Sequence, residues 1–132
     1  MNLTEKLIKA DKSVLKERNR KQLYSRRLSK LVGEESFLTI QQVPGRRLYE
    51  LVQMDNKYDA NVLLCAEAII EPSMKDTALM ESFGVKTPKD LAEKLFDMET
   101  SPIADEVIAM SPLDGVREKD IKKPSGGTET QP

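Results

Sequence analysis

The feature that most constrains the fold is a change in hydrophobic periodicity near Pro44. Before this residue, apolar and polar side chains alternate, as in a strand with one buried face, whereas after it apolar side chains recur at helical spacing. The sequence therefore predicts an α+β fold that is mostly helical. An N-terminal β-hairpin at about 23–43 is expected to pack on a bundle of short α-helices at about 46–110.

The predicted hairpin consists of "LYSRRLSKLV" and "SFLTIQQV", separated by the glycine-containing loop "GEE". A loop of this length that contains glycine is typical of a hairpin connection. Alternation along the first predicted strand places Tyr24, Leu28 and Val32 towards one side of the sheet.

Two registers are open for the second predicted strand. In the first, Phe37 and Thr39 face inward. In the second, Leu38 and Ile40 face inward, and we favour this register because it buries two large apolar side chains.

The segments that follow carry helix start and stop signals. "DANVLLCAEAII" is apolar almost all round, which predicts a buried central helix capped by Asp59; a strand is the alternative, but the alanines favour a helix. "SMKDTALMESFG" predicts a helix capped by Ser73 and ended by Gly84. "VKTPKDLAEKLF" predicts a helix with Thr87 as its cap and Pro88 at its first position.

Both ends of the chain are polar. "NLTEKLIKA" predicts a short helix in which Asn2 and Glu5 form a capping box, and a polar mobile arm follows it. We assign these two segments to an N-terminal region, 1–22, and the hairpin and helices to a single domain, 23–112. The polar segment 113–132, rich in glycine, proline and serine, predicts a disordered tail.

The composition argues against an enzyme. Histidine is absent, so the commonest general base and metal ligand is missing, and Cys65 is the one cysteine. This cysteine lies within an apolar segment, which is typical of a core residue rather than a nucleophile. No catalytic residue, metal site or cofactor is predicted.

Apolar stretches are too short for a membrane helix. The longest, "VLLCAEAII", falls far short of the ~20 residues that a helix needs to span a bilayer. The N-terminus shows no secretory signal pattern. We therefore expect a cytoplasmic protein that does not contact a membrane.

Charge is divided unevenly along the chain. Residues 1–47 hold 12 lysines and arginines against 5 acidic residues, and the remainder holds 9 against 17. This division suggests either a polyanionic partner or two regions of the protein that attract each other. Seven basic residues fall within 16–30, but Tyr24 is the only aromatic residue there for stacking on bases, so nucleic-acid binding is the less favoured reading.

Apolar stripes on two consecutive predicted helices are the candidate protein-binding residues. A shallow bundle can leave one such stripe partly exposed as a groove for a partner, while the alternative is that the two stripes bury each other in the core. The six candidates are Leu79, Met80, Phe83, Leu91, Leu95 and Phe96.

Three segments, in order, resemble the XkdN-like phage tail assembly chaperones. These are "NLTEKLIKAD", "RRLSKL" with "FLTIQQV", and the long block "EPSMKDTALMESFGVKTPKDLAEKLF", and the resemblance covers roughly residues 2–110. The chain departs from the family pattern near its C-terminal end, where it reads "MSPLDGVREKDIKKPSGG".

The resemblance implies a role in building the tail of a phage or prophage. A protein of this family would bind the aggregation-prone tape measure protein and help tail tube subunits to assemble around it, without remaining in the mature virion. No catalytic residues are implied. Self-association is a further hypothesis, and a basic-arm nucleic-acid-binding phage regulatory protein is the alternative function.

Overall fold

The computed structural model describes residues 1–111, which form short helices and a small sheet that is buried on one face. Its α-helices are α1 Leu3–Ile8, α2 Arg26–Val32, α3 Gly45–Val52, α4 Lys57–Ala68, α5 Thr77–Ser82, α6 Pro88–Phe96 and α7 Thr100–Ala109. Its strands are β1 Arg20–Tyr24, β2 Phe37–Gln41 and β3 Ile69–Glu71, and its two 3-10 helices are Lys12–Lys16 and Asp97–Glu99. The mostly helical α+β class is confirmed, while the predicted tail, 113–132, lies outside the described residues.

The strands form an antiparallel sheet in the order β1-β2-β3. Leu38 and Ile40 on the central strand are fully buried, whereas Phe37 is about half exposed. The favoured register of this strand is therefore confirmed. Its inward face supplies the sheet side of a single apolar core.

The first predicted strand was wrong over most of its length. Strand β1 ends at Tyr24, and α2 occupies most of the segment that was expected to pair with β2. Leu28 is buried but Val32 is exposed, because residues 26–32 have helical rather than alternating geometry. Tyr24, the last residue of β1, is also exposed. Strands β1 and β2 are thus paired, but a helix instead of a tight turn connects them.

Local hydrogen bonds explain why α2 forms. The Ser25 hydroxyl accepts a hydrogen bond from the Leu28 N–H at 3.0 Å, which caps the first turn. At the other end Gly33 takes a left-handed conformation with φ of 91°, which favours glycine and ends the helix. Both signals lie within the segment that alternation alone assigned to a strand.

Polar contacts tie the start of α2 to the end of α6 and to the 3-10 helix that follows it. Ser25 Oγ donates to Glu99 Oε1 at 2.7 Å, and the Arg27 N–H donates to Glu99 Oε2 at 3.1 Å. Arg27 Nε also donates to the Leu95 carbonyl at 2.8 Å, satisfying a helix-end acceptor. These bonds fix the position of α2 relative to the helical layer.

Helix α4 is the centre of the helical layer, as predicted, and packs against α3, α6 and α7. Its cap is Asn56 rather than Asp59: the Asn56 side chain accepts from the Asp59 N–H at 3.0 Å. The helix ends at Ala68, and the two isoleucines expected to extend it instead begin β3, where Ile69 pairs with Ile40.

Caps also define the two helices that carry the candidate stripes. Helix α5 is capped by Asp76 rather than Ser73, since the Asp76 carboxylate accepts from the Leu79 N–H at 2.8 Å. Gly84 follows it with φ of 71°, as predicted. Helix α6 begins as predicted, with the Thr87 hydroxyl accepting a hydrogen bond and Pro88 at the first position.

The N-terminal segment lies on the outside of the molecule. Asn2 and Glu5 form the predicted capping box of α1. The following segment, predicted to be a mobile arm, contains the 3-10 helix Lys12–Lys16, which Asp11 caps, and then enters β1 at Arg20. Residues 20–22 thus belong to the sheet rather than to the arm.

Candidate protein-binding groove

Among residues 1–111, no group of acidic side chains and cysteine has the arrangement of a metal site. None of the helices in this part of the chain is long and apolar enough to cross a membrane. Cys65 is fully buried, as expected for a core residue, and its thiol donates to the Thr100 carbonyl at 3.4 Å. Desolvation by burial raises the pKa of this thiol to about 12.

We expect Cys65 to resist thiol reagents while the protein is folded. Its thiolate is suppressed at neutral pH and water cannot reach the sulfur, so the rate of reaction with Ellman's reagent should be negligible until urea unfolds the chain. Because the pKa in the folded state exceeds the ordinary value, this group should also reduce stability as pH rises above about 9 towards 12. Rapid labelling at neutral pH without urea would contradict the burial of this site.

The feature of the surface that best suits a partner is an apolar groove between α2 and α5. It has a volume of about 270 Å³. The start of β2 and the turn after β3 close its two other sides. Its lining is Leu28, Leu31, Val32, Ser36, Phe37, Glu71, Pro72, Leu79, Phe83 and Leu95.

The groove has a buried floor and an exposed rim. Leu28 and Leu95 form the floor and are 8% and 2% exposed. The rim contains Leu31, Val32 and Phe37, which are 56%, 61% and 49% exposed. Contiguous large apolar side chains that remain this exposed are typical of binding surfaces rather than of core packing.

Hydrogen bonds hold the rim in place. The Ser36 N–H donates to Ser29 Oγ at 2.9 Å, and Ser29 Oγ donates to the Ser25 carbonyl at 2.7 Å. These bonds join the start of β2 to the body of α2. Phe37 also meets Tyr24 edge-to-face, with ring centroids 5.9 Å apart, so the exposed ring packs against a neighbouring aromatic side chain.

The six predicted binding residues fall into three environments. Leu79, Phe83 and Leu95 line the groove together. Met80 lies in a separate depression beside Gly84 and Val85. Leu91 and Phe96 are fully buried, because the apolar face of α6 packs chiefly on α4.

The rim residues were missed at the sequence level. Leu31 and Val32 were assigned to a strand, which hid their relation to Leu28. These three residues have helical i, i+3 and i+4 spacing, so reading the segment as a helix would have placed them on one face. Phe37 was correctly placed on the outward face of β2, but without a binding role.

Several side chains of the basic segment bind the protein itself. Lys21 pairs with Glu106, and Arg20 Nε donates to Gln41 Oε1 at 2.9 Å. Arg27 is held at the end of α6, and Arg18 donates to two backbone carbonyls. The segment is therefore partly committed to intramolecular contacts, which leaves fewer free cations for phosphate binding.

Comparisons with known proteins agree with this architecture. The crystal structure of the protein YqbN, a structural-genomics target, superposes with a TM-score of 0.52 at 14% sequence identity, over 73% of this chain and 88% of that one. This likeness concerns the fold alone. No curated protein matches the sequence. The family model for the phage XkdN-like tail assembly chaperone protein matches residues 4–123, so the chain belongs to the XkdN-like family of phage tail assembly chaperones.

Proposed function

We propose that this protein binds the tape measure protein through the groove between α2 and α5 and thereby assists assembly of the tail tube. It acts without catalysis, in the cytoplasm of a bacterium that carries the phage or prophage, and leaves before the virion is mature. Family membership supports the general role in tail assembly. The exposed apolar rim of the groove carries the proposal for this surface.

The chemistry of the groove suits an apolar segment of an elongated, unassembled protein. Leu31, Val32 and Phe37 offer aliphatic and aromatic contacts, and two polar side chains, Ser36 and Glu71, can orient a bound backbone. Covering an apolar surface is favourable by about 25 cal/mol per Å². A short groove of this kind fits one face of a helix or a few extended residues rather than a folded domain.

Charged substitutions in the rim should abolish this binding without unfolding the chaperone. In Leu31→Asp/Val32→Asp, both new carboxylates would be driven into an apolar contact, at a cost of several kcal/mol. We therefore expect affinity for the tape measure protein of the same phage to fall by at least about 100-fold. Co-expression followed by affinity purification, with titration of purified fragments, measures the change.

Tyr49→Asp is the matched control, because Tyr49 is 66% exposed on α3 and does not line the groove. The control should bind as the unaltered protein does. Equal affinity of the control and the rim variant would refute the groove as the binding site. Failure of the unaltered protein to bind any part of the tape measure protein would refute the proposed partner itself.

A further inference from the structure

The N-terminal arm, residues 1–19, presents an apolar surface that no other described part of the chain covers. Its residues are exposed throughout, although α1 has a complete capping box and the 3-10 helix has its own cap. Six large apolar side chains are between 54% and 74% exposed: Met1, Leu3, Leu7, Ile8, Val14 and Leu15. A structured segment with this much unburied apolar surface is incomplete as an isolated element.

We propose that the arm of one copy docks into the groove between α2 and α5 of a second copy. The two surfaces are chemically matched, since each is apolar, exposed and without a partner within residues 1–111. On α1, Leu3 and Leu7 share one face through their i, i+4 spacing, and Ile8 borders that face. Such a face can be laid into a shallow apolar groove.

The path of the chain favours a second copy over the arm's own groove. Strand β1 pairs Tyr24 with Phe37 at the groove and Arg20 with Gln41 at its other end. A five-residue strand separates these ends by about 13 Å, and the arm leaves the body from the end that is remote from the groove. To dock in the groove of its own chain, the arm would have to reverse direction along the edge of the sheet.

The charges on the arm and around the groove also favour docking of the arm in this groove. No ion pair within residues 1–111 engages the acidic side chains around the groove, and the same holds for the lysines of the arm. The acidic residues are Glu71 in the groove lining and Glu34 and Glu35 just before Ser36. The lysines are Lys6, Lys9 and Lys16, whereas Lys12 Nζ donates to backbone carbonyls at the end of α1. Opposite charges bordering matched apolar surfaces strengthen association and select its orientation.

Exchange of arms makes a closed two-fold dimer. Each copy both donates an arm and receives one, so the contact is used twice and no site is left open for further growth. Because the contact is used twice, the dimer buries twice the surface that one arm covers, which favours stability, since stable interfaces typically bury about 1,200–2,000 Å² in total.

Sedimentation equilibrium of the purified full chain tests the proposal without the tape measure protein. The unaltered chain should be a dimer at micromolar concentration. The arm variant Leu7→Asp/Ile8→Asp and the rim variant Leu31→Asp/Val32→Asp should each be monomeric, and the control Tyr49→Asp should remain a dimer. A monomeric unaltered chain, or a dimer that survives either double substitution, would overturn the proposal.

Cysteine cross-linking between different chains tests the contact itself. One chain carries Ile8→Cys and the other carries Val32→Cys, while the native Cys65 is buried and does not compete. Mild oxidation of the mixture should give a covalent heterodimer far faster than a mixture of Tyr49→Cys and Val32→Cys chains. Equal rates, or closure within one chain carrying both cysteines at high dilution, would overturn the exchange. The arm and the tape measure protein would occupy the same groove, so we expect the tape measure protein to displace the arm when it binds. Because the two contacts are assayed separately, either proposal can fail while the other stands.

Discussion

Leu95→Ala is expected to lower the free energy of unfolding by about 2–5 kcal/mol. Leu95 is 2% exposed and lies under the groove, in the same apolar cluster as α4 and the buried face of β2. Truncation removes buried methyl groups and leaves a cavity that the neighbouring helices can fill only partly. Urea unfolding followed by circular dichroism measures the loss as a lower midpoint at an unchanged slope.

Leu31→Ala is the matched control, because it removes the same atoms from the same groove at a residue that is 56% exposed. Its effect on stability should stay within about 0.5 kcal/mol, as for most surface substitutions. The two variants thus separate the floor of the groove from its rim. If Leu95→Ala proved no more destabilising than Leu31→Ala, Leu95 would be part of the binding surface and not of the core.

The helical layer was largely predictable because its signals are local. Caps and stop residues act within one turn, so Thr87, Pro88 and Gly84 could be read directly from the sequence. The two predicted caps that were wrong, Asp59 and Ser73, lie within a turn of the true caps. The true caps, Asn56 and Asp76, are also short polar side chains that accept a hydrogen bond from a backbone N–H. Such errors shift a boundary without changing the element.

The start of the sheet was harder because its periodicity is ambiguous and its strand pairing is not local. The segment 23–32 fits alternation and helical spacing about equally well, so periodicity alone cannot choose between them. The local caps at Ser25 and Gly33 favour the helix, and the Ser25 hydroxyl also donates to Glu99, a residue far along the chain. This tertiary contact is invisible in a local pattern, as is the pairing of β1 with β2 across an intervening helix.

The candidate site shows the same division between local and tertiary information. The sequence identified apolar stripes on α5 and α6, but not which members stay accessible. Helix α4 covers Leu91 and Phe96, whereas Leu79 and Phe83 remain at an edge of the core. The rim residues lie on α2 and β2, and the arrangement of these two elements depends on the segment 23–32, which was wrongly predicted to be a strand.

Substitution by aspartate should have very different consequences at two adjacent residues of β2, because successive side chains on a strand point to opposite faces. Leu38 is fully buried, and Phe37 is 49% exposed in the rim. Leu38→Asp would place a carboxylate in the apolar core without a partner, at a cost of several kcal/mol, which is a large fraction of a small domain's stability. We expect this variant to show no cooperative unfolding transition.

Phe37→Asp should instead fold and lose function. The new carboxylate stays in water, so the main structural loss is the edge contact with Tyr24, about 0.5–1.5 kcal/mol. If the rim is the binding surface, affinity for the tape measure protein should fall at least about tenfold, since a bound apolar segment would have to desolvate the charge. Thermal melts and pull-downs of both variants measure the two effects. Cooperative melting of Leu38→Asp would contradict the register of β2, and full binding by Phe37→Asp would remove its outward face from the proposed site.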